Sequence, residues 1–196
     1  YNEHPFVLGI QDGTLAREKF KYYIIQDYLY LEEYAKVFAI GIAKAKRLDT
    51  MRLFSRQVNF LTEGEMDIHR GYMGAFTVSQ EELAATPRAL DNLSYTSYML
   101  RVAYEEGEAE ILAAILSCAY SYEVIAKTIL KNNPSASEHP FYGNWIKGYA
   151  GPEFCDGNVV LLDTLNHLTS RYTEEQLRHL TDIFLACSRY ELAFWE

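Results

Sequence analysis

Four positions that the hydrophobic pattern assigns to a protein core hold reactive side chains instead. The cysteine among them lies in a helical stripe, with Ile111 and Ile115 before it and Ile125 and Ile129 after it. A single buried thiol usually serves as packing, but burying a carboxylate without a partner costs free energy. Several such groups in one core therefore predict a site. The four residues are Asp27, Glu65, Cys118 and Glu191.

This combination of groups favours covalent catalysis by a thiol. Cys118 would be the nucleophile, while one carboxylate would handle protons and another would hold the substrate. No histidine is placed in sequence to form a dyad with Cys118, so a carboxylate or the substrate must take the thiol proton. An electron-poor heterocycle suits this site, because its ring nitrogen and exocyclic amine could bond Asp27 and its face could stack on tyrosines. The available tyrosines are Tyr30, Tyr95, Tyr122 and Tyr149.

A di-metal carboxylate centre is the alternative chemistry for the same groups. Such a centre needs Glu-x-x-His pairs on two helices, and the sequence contains none. Glu65 and His69 are four residues apart, which instead predicts a Glu-His pair across one helical turn. We expect Glu65 to hold in place the residues that contact a ligand.

Two long helical patterns carry the first two carboxylates. Gln11-Asp12-Gly13-Thr14 predicts a turn in which Thr14 is the N-cap of the first long helix, and the core stripe of that helix includes Asp27. The second pattern begins after Arg47-Leu48-Asp49-Thr50 and has one continuous stripe. The members of that stripe are Met51, Phe54, Val58, Leu61, Glu65, Ile68 and Tyr72.

Turn and capping signals divide the rest of the chain. Ser79-Gln80-Glu81-Glu82 and Thr173-Glu174-Glu175-Gln176 have capping-box spacing, and Asn132-Asn133-Pro134 ends the helix of Cys118. A further helix is predicted from Phe154 to Leu168, and no alternating β pattern occurs. The sequence therefore predicts an all-α fold, a bundle of eight or nine helices.

Length and composition predict one domain over residues 1–196, with 49% apolar and 23% charged residues. A formal net charge of -9 opposes binding to a phosphate backbone, so nucleic acid is not an expected partner. No long apolar run and no signal-peptide pattern is visible, so we expect no membrane partner and a cytoplasmic location. Three cysteines far apart predict reduced thiols.

Seven short segments, spread over nearly the whole chain, match one known family in order. The most specific are the block Tyr23-Ile24-Ile25-Gln26-Asp27-Tyr28-Leu29-Tyr30-Leu31, the segment Leu116-Ser117-Cys118 and the terminal Tyr190-Glu191-Leu192-Ala193-Phe194-Trp195. The others are His4-Pro5-Phe6-Val7, Gly13-Thr14-Leu15, Ser94-Tyr95-Thr96-Ser97-Tyr98-Met99 and Trp145-Ile146-Lys147-Gly148-Tyr149. Together these segments resemble the TenA family, thiaminase II.

The resemblance implies a haem-oxygenase-like helical bundle that forms a homotetramer and hydrolyses aminopyrimidines in thiamin salvage. Members of that family cleave thiamin to hydroxymethylpyrimidine and the thiazole alcohol. They also deaminate aminomethylpyrimidine to the same hydroxymethylpyrimidine. The resemblance implies a small aminopyrimidine as the ligand and no metal or organic cofactor. A non-catalytic pyrimidine-binding or regulatory protein on the same fold is the competing hypothesis.

The resemblance also implies a role for each matching residue. Cys118 would be the nucleophile, Glu191 the acid and base, and Asp27 the anchor of the pyrimidine amine and ring nitrogen. Tyr30, Tyr95, Tyr122 and Tyr149 would line the pocket. Two departures from the family pattern are visible: many members have Trp where this chain has Tyr120, and members have a helix before the first His-Pro-Phe and continue past the terminal Phe-Trp. We therefore expect the first helix and the extreme C-terminus of the family fold to be missing here.

Overall fold

Ten α-helices make up a computed structural model that describes residues 1–196. No strand is present, which confirms the predicted all-α fold. A π-helical segment, Phe60–Glu65, joins the third helix to the fourth, and a short 3-10 helix, Pro134–Glu138, precedes the eighth. The helices are α1 (Pro5–Gln11), α2 (Arg17–Lys44), α3 (Leu48–Asn59), α4 (Met66–Ala75), α5 (Gln80–Ala85), α6 (Leu90–Glu105), α7 (Glu108–Asn132), α8 (Gly143–Ala150), α9 (Pro152–Thr169) and α10 (Glu174–Ala193).

Helix α7 is the central element of the bundle. It packs against α2, α6, α8, α9 and α10, so most of its faces are covered. The Glu110 side chain accepts a hydrogen bond from the backbone N–H of Gly107 at its start, and the helix ends at Asn132 just before Pro134, as predicted. Helix α7 is long and apolar enough to cross a membrane, but 78% of its most apolar stretch is buried inside this fold.

Two apolar clusters lie along α7, and the reactive residues lie between them. The first cluster surrounds the N-terminal half of α7 and is built mainly from α2, α3, α6 and α10. The second surrounds the C-terminal half of α7 and is built mainly from α1, α2, α4 and α8. Cys118 and Phe194 pack against both clusters. The position of Cys118 therefore marks the seam between the two clusters.

The predicted start of the first long helix is wrong. Thr14 does not cap α2; Ala16 is its N-cap and the helix begins at Arg17. The backbone N–H groups of Thr14 and Leu15 bond back to the carbonyl of Gly9, at 2.8 and 2.9 Å, and so close the end of α1. Gly13 permits this reversal because its φ is 71°, in the left-handed region.

The sequence predicts one second helix, but the structure has two, α3 and α4, with the π-helical segment between them. This division is one reason why the bundle has ten helices rather than eight or nine. Hydrogen bonds in a π-helix span five residues instead of four, so each turn holds more residues. Inward positions then recur at Leu61, Glu65 and His69, and the predicted core positions Met51 and Ile68 are 37% and 38% exposed. The extra residue per turn therefore directs His69, rather than Ile68, into the core.

Helix α8, which carries Trp145 and Tyr149 into the seam, starts at a position that only glycine fits. A Cβ atom on Gly143 would collide with the backbone carbonyl oxygen of Ser137, which cannot rotate away as a side chain could. The close approach between α8 and the 3-10 helix thus depends on the absence of a side chain at Gly143.

We predict that Gly143→Ala lowers the free energy of unfolding by about 1–3 kcal/mol, because the new methyl group overpacks this junction. Gly71→Ala is the matched control, since Gly71 lies in α4 with no atom near its missing Cβ. It should raise the free energy of unfolding by up to about 1 kcal/mol through helix propensity. Urea denaturation measures both, and equal stabilisation by the two substitutions would contradict the packing argument.

Candidate active site

Three helices and the π-helical segment bring the four predicted groups together at the seam. Asp27 comes from α2, Cys118 from α7 and Glu191 from α10, while Glu65 is the last residue of the π-helix. Burial first, and then the charges of Glu191, Glu65 and Asp27, raise the pKa of Cys118 well above its ordinary value. All three carboxylates therefore lie near the thiol.

Asp27 is held by two donors on one of its oxygens. Its Oδ2 accepts hydrogen bonds from the Tyr23 hydroxyl at 2.8 Å and from His69 Nε2 at 2.7 Å. The carboxyl is only 5% exposed, and its Oδ1 receives no hydrogen bond from the protein. A buried carboxylate with one oxygen fixed and the other free is placed to receive a donor from a ligand.

His69 pairs with Asp27 and not with the side chain of Glu65, so the predicted Glu-His pair is wrong. Its Nδ1 donates to the backbone carbonyl of Glu65 at 3.0 Å, which leaves Nε2 to face α2. Burial lowers the pKa of His69, but the hydrogen bond and charge of Asp27 outweigh it and the pKa is raised. The contact with Asp27 therefore favours the protonated form of His69.

Glu191 also has one fixed and one free oxygen. The Tyr122 hydroxyl donates to its Oε1 at 2.9 Å, whereas Oε2 is buried without any hydrogen-bond partner. Burial, and then the charge of Asp27, raise the pKa of Glu191 to about 8. Glu191 is thus a neutral acid at pH 7, with one oxygen free to exchange a proton with a bound molecule.

Cys118 is half-buried, rather than fully buried as its stripe predicts. It lines a cavity of about 590 Å³ between α3, the π-helix and α9. A cavity of this size can hold a small organic molecule. Its wall includes Glu65 and Tyr149, and its outer part carries the charged residues Arg56, Glu63, Glu153 and Asp156. The thiol is therefore the predicted catalytic group that faces the open cavity.

Of the other predicted residues, Glu65 and Tyr149 line the cavity and the rest do not. Tyr30 points to Met99 Sδ at 3.7 Å and Tyr95 shares a hydrogen bond of 2.9 Å with Ser117. Tyr149 donates to Glu65 Oε1 at 3.0 Å, so Glu65, predicted only to support other residues, itself lines the cavity. Asp27, Glu191, Tyr30, Tyr95 and Tyr122 are absent from the cavity wall.

Four residues of the site were missed by the sequence analysis as functional groups. Tyr23 and His69 bond Asp27, while the indole N–H groups of Trp145 and Trp195 donate to the hydroxyls of Tyr23 and Tyr122, both at 3.3 Å. Trp145, Trp195 and Tyr23 look like ordinary core aromatics in the pattern, and only the need of each buried Tyr or Trp for a hydrogen-bond partner could have pointed to them.

We predict that Glu65→Gln removes a pH dependence from folding stability. Burial raises the pKa of Glu65 to about 7 from its ordinary 4.5, against the opposing charge of His69. Between these values the unfolded chain releases a proton that the native state keeps, so the free energy of unfolding falls as the pH rises from 4.5 to about 7. Glutamine keeps an oxygen for Tyr149 but cannot ionise. Between pH 4 and pH 8, the free energy of unfolding of Glu65→Gln should therefore rise by on the order of 3 kcal/mol relative to that of the intact protein.

Urea denaturation of both proteins at pH 4 and pH 8 checks this prediction. If the two proteins lose stability in parallel over this range, Glu65 is already ionised in the native state and the stated cause is wrong.

Relatives of known name match the chain along its whole length. It is 46% identical to an aminopyrimidine aminohydrolase of Helicobacter pylori, covering 98% of this chain and 88% of that protein. It is 44% identical to an aminopyrimidine aminohydrolase of Halalkalibacterium halodurans, covering 100% of this chain and 87% of that protein.

Solved structures show the same fold. A protein from a Silicibacter species, described as a TenA family transcription regulator, superposes with a TM-score of 0.89 at 32% identity and covers 100% of this chain and 88% of its own. A TenA homologue from P. horikoshii gives a TM-score of 0.87 at 30% identity, covering 98% and 88%. Residues 1–196 also match the TENA/THI-4/PQQC family, which confirms the resemblance found in the sequence. This chain therefore belongs to the TENA/THI-4/PQQC family.

Proposed function

We propose that this protein is an aminopyrimidine aminohydrolase of thiamin salvage, a hydrolase. The proposed substrate is 4-amino-5-aminomethyl-2-methylpyrimidine, and also thiamin, and the product is 4-amino-5-hydroxymethyl-2-methylpyrimidine. The observation that carries the proposal is the Cys118 thiol in the cavity wall, near the neutral acid Glu191, whose Oε2 has no hydrogen-bond partner. The names of the relatives from H. pylori and H. halodurans support the same activity.

Asp27 is proposed to anchor the pyrimidine. Its free Oδ1 can accept the N–H of the exocyclic amine, while His69 and Tyr23 hold Oδ2 and so fix the plane of the carboxyl. The adjacent ring nitrogen lies on the same edge of a pyrimidine as that amine. Tyr30, Tyr95, Tyr122 and Tyr149 surround the thiol and offer aromatic faces to the ring.

The proposed reaction begins with covalent addition. The sulfur of Cys118 bonds to the ring carbon beside the one that bears the methylene, as Glu191 Oε2 gives its proton to a ring nitrogen. The thiol proton passes to the carboxylate that Glu191 has become, which meets the need for a base other than histidine. The raised pKa of the thiol makes such a concerted transfer preferable to attack by a free thiolate.

The ring, now electron-rich, expels ammonia from the protonated aminomethyl group, or thiazole when thiamin is the substrate. Water then adds to the methylene carbon and loses one proton. The expelled ammonia takes that proton and leaves as ammonium, and with thiamin as the substrate the proton passes to solvent water. The carbon–sulfur bond finally breaks as Glu191 returns the thiol proton to the sulfur and takes back the proton of the ring nitrogen, and the hydroxymethylpyrimidine is released.

Two other hypotheses differ in what they require. A binding or regulatory protein would hold the pyrimidine tightly without converting it, and the Silicibacter relative is described as a transcription regulator. The buried acid beside a reachable thiol favours an enzyme instead. A di-metal oxidase would need clustered ligands, and no group of three or more His, Cys, Asp or Glu side chains is arranged to hold a metal ion. Homotetramer assembly and a cytoplasmic location stay predictions.

We predict that Cys118→Ser lowers turnover of aminomethylpyrimidine and of thiamin by at least about a thousandfold, because the nucleophile is lost. The matched control is Cys155→Ser, which changes a half-buried thiol outside the cavity wall and should keep normal turnover. Chromatography of the products measures both. Normal turnover by Cys118→Ser would contradict covalent catalysis, and tight pyrimidine binding without product from the intact protein would favour the binding hypothesis.

We also predict that activity requires Glu191 in its protonated form. Since the pKa of Glu191 is raised to about 8, kcat/KM should fall as the pH rises above this value. Glu191→Gln should lower kcat by about 100- to 10,000-fold and remove this limb from the pH profile. An unchanged alkaline limb in Glu191→Gln would assign the limb to another group.

A further inference from the structure

Glu65 is the one buried carboxyl group in the wall of the cavity, and the proposed reaction does not use it. Glu65 and Cys118 both line this cavity of about 590 Å³. Glu65 is 9% exposed, and its Oε1 accepts a hydrogen bond from the hydroxyl of Tyr149 at 3.0 Å. Its Oε2 receives no hydrogen bond from the protein and, unlike the Oε2 of Glu191, is not fully enclosed. One carboxyl oxygen is therefore open to a molecule in the cavity.

Glu65 lies close to both of the groups that are proposed to engage the pyrimidine ring. His69 contacts the backbone carbonyl of Glu65 at 3.0 Å and the Oδ2 of Asp27 at 2.7 Å, so one imidazole separates that backbone from the carboxyl. Burial and the charge of Glu191 raise the pKa of Cys118 most, and the charge of Glu65 comes next. Glu65 is thus a neighbour of the thiol as well.

The order of substituents on the proposed pyrimidine matches this arrangement. The exocyclic amine bonds Asp27, and the sulfur of Cys118 attacks the carbon on the other side of the one that bears the methylene. The methylene is therefore attached between the two points at which the protein holds the ring. Glu65, which is near both Asp27 and Cys118, is placed beside the group that leaves this methylene.

In both proposed substrates the atom that leaves the methylene is a positively charged nitrogen. The amine of aminomethylpyrimidine is protonated at neutral pH, as the amine of a lysine is. The thiazole of thiamin is attached through its ring nitrogen, which carries a permanent positive charge. The product, hydroxymethylpyrimidine, has a neutral hydroxyl at the same carbon. A carboxylate at this point therefore distinguishes the substrates from the product.

The rest of the cavity wall also suits a cation. The rings of Tyr149 and Phe154 lie 5.0 Å apart between centroids, and those of Phe154 and Phe60 lie 6.5 Å apart. All three rings line the cavity, and aromatic faces attract positive charge. The exposed charged residues of the wall are three acids and one base, which draw cations inward. They are Glu63, Glu153, Asp156 and Arg56.

We propose that Glu65 binds the positively charged nitrogen of the leaving group, and that the cavity holds the rest of that group. The leaving group is the ammonium of aminomethylpyrimidine or the thiazolium of thiamin. This assignment rests on the proposed aminopyrimidine hydrolysis and gives Glu65 a direct contact with the substrate. Burial raises the pKa of Glu65 to about 7, so an arriving cation readily shifts the carboxyl to its charged form near neutral pH.

Ligand binding to the Cys118→Ser variant tests this role without turnover. When Glu65→Gln is added to that variant, the Kd for aminomethylpyrimidine should rise by about 10- to 100-fold, because an amide cannot pair with the ammonium charge. The Kd for hydroxymethylpyrimidine should change by less than about twofold, since this ligand has the same ring without the positive charge. Isothermal titration calorimetry measures both Kd values.

Glu108→Gln in the same variant is the matched control. Glu108 is also 9% exposed, and its Oε1 accepts one hydrogen bond, from the backbone N–H of Lys46 at 2.9 Å. It lies outside the cavity wall, ten residues before Cys118 in α7 and so about 15 Å away along the helix. Glu108→Gln removes the same buried carboxyl and should leave both Kd values unchanged.

Glu65→Asp provides the test if circular dichroism shows that Glu65→Gln is not folded. It withdraws the carboxyl by one carbon, so it should weaken the binding of aminomethylpyrimidine and leave that of hydroxymethylpyrimidine unchanged.

The assignment is wrong if Glu65→Gln leaves the Kd for aminomethylpyrimidine unchanged. It is also wrong if the Kd values for both ligands rise equally, because Glu65 then supports the pyrimidine ring rather than the leaving group. A different result, no product from the intact protein and no binding of either pyrimidine, would overturn the proposed function and this assignment together.

Discussion

A carboxyl group inside a helical bundle must be hydrogen-bonded, paired or neutral, and the centre of this protein satisfies that requirement in two ways. Asp27 is hydrogen-bonded, because the Tyr23 hydroxyl and His69 Nε2 both contact its Oδ2. Glu191 is neutral because burial raises its pKa to about 8. Three tyrosine hydroxyls donate to buried carboxyls: Tyr23 to Asp27, Tyr122 to Glu191 and Tyr149 to Glu65.

The same hydrogen bonds join the helices and leave four reactive groups without a hydrogen-bond partner. The Asp27–His69 bond ties α2 to α4, the Tyr122–Glu191 bond ties α7 to α10, and Tyr149 ties α8 to the π-helix through Glu65. What remains free is the Oδ1 of Asp27, the Oε2 of Glu65, the Oε2 of Glu191 and the thiol of Cys118. A ligand that enters the seam therefore meets groups whose partners have already fixed them, which is the arrangement that catalysis and tight binding require.

Local signals allowed much of this structure to be predicted. The capping box at Thr173 and the Asn-Pro end of α7 are set by neighbouring residues, and both predictions are confirmed. The placement of acids in apolar stripes correctly indicated that Asp27, Glu65 and Glu191 are buried. The predictions that failed depend on contacts that a residue pattern does not show. Thr14 has the residue type of a helix cap, but its backbone N–H bonds to the carbonyl of Gly9 and closes α1 instead. His69 contacts Asp27, 42 residues earlier in the chain, because the π-helix turns His69 inward. The cavity that reaches Cys118 depends on how α3 and α9 pack. The same packing decides that its wall includes Glu65 and Tyr149 but not Asp27 or Glu191.

The account depends most on Glu191 holding a proton at neutral pH beside the thiol. Infrared spectroscopy tests this directly, because a protonated carboxylic acid has a C=O stretching band that a carboxylate lacks. The difference spectrum between the intact protein and Glu191→Gln should contain that band at pH 7, and the band should disappear as the pH rises through about 8. If the band is absent at pH 7, Glu191 is ionised there, and the addition of the thiol with protonation of the ring cannot operate as described.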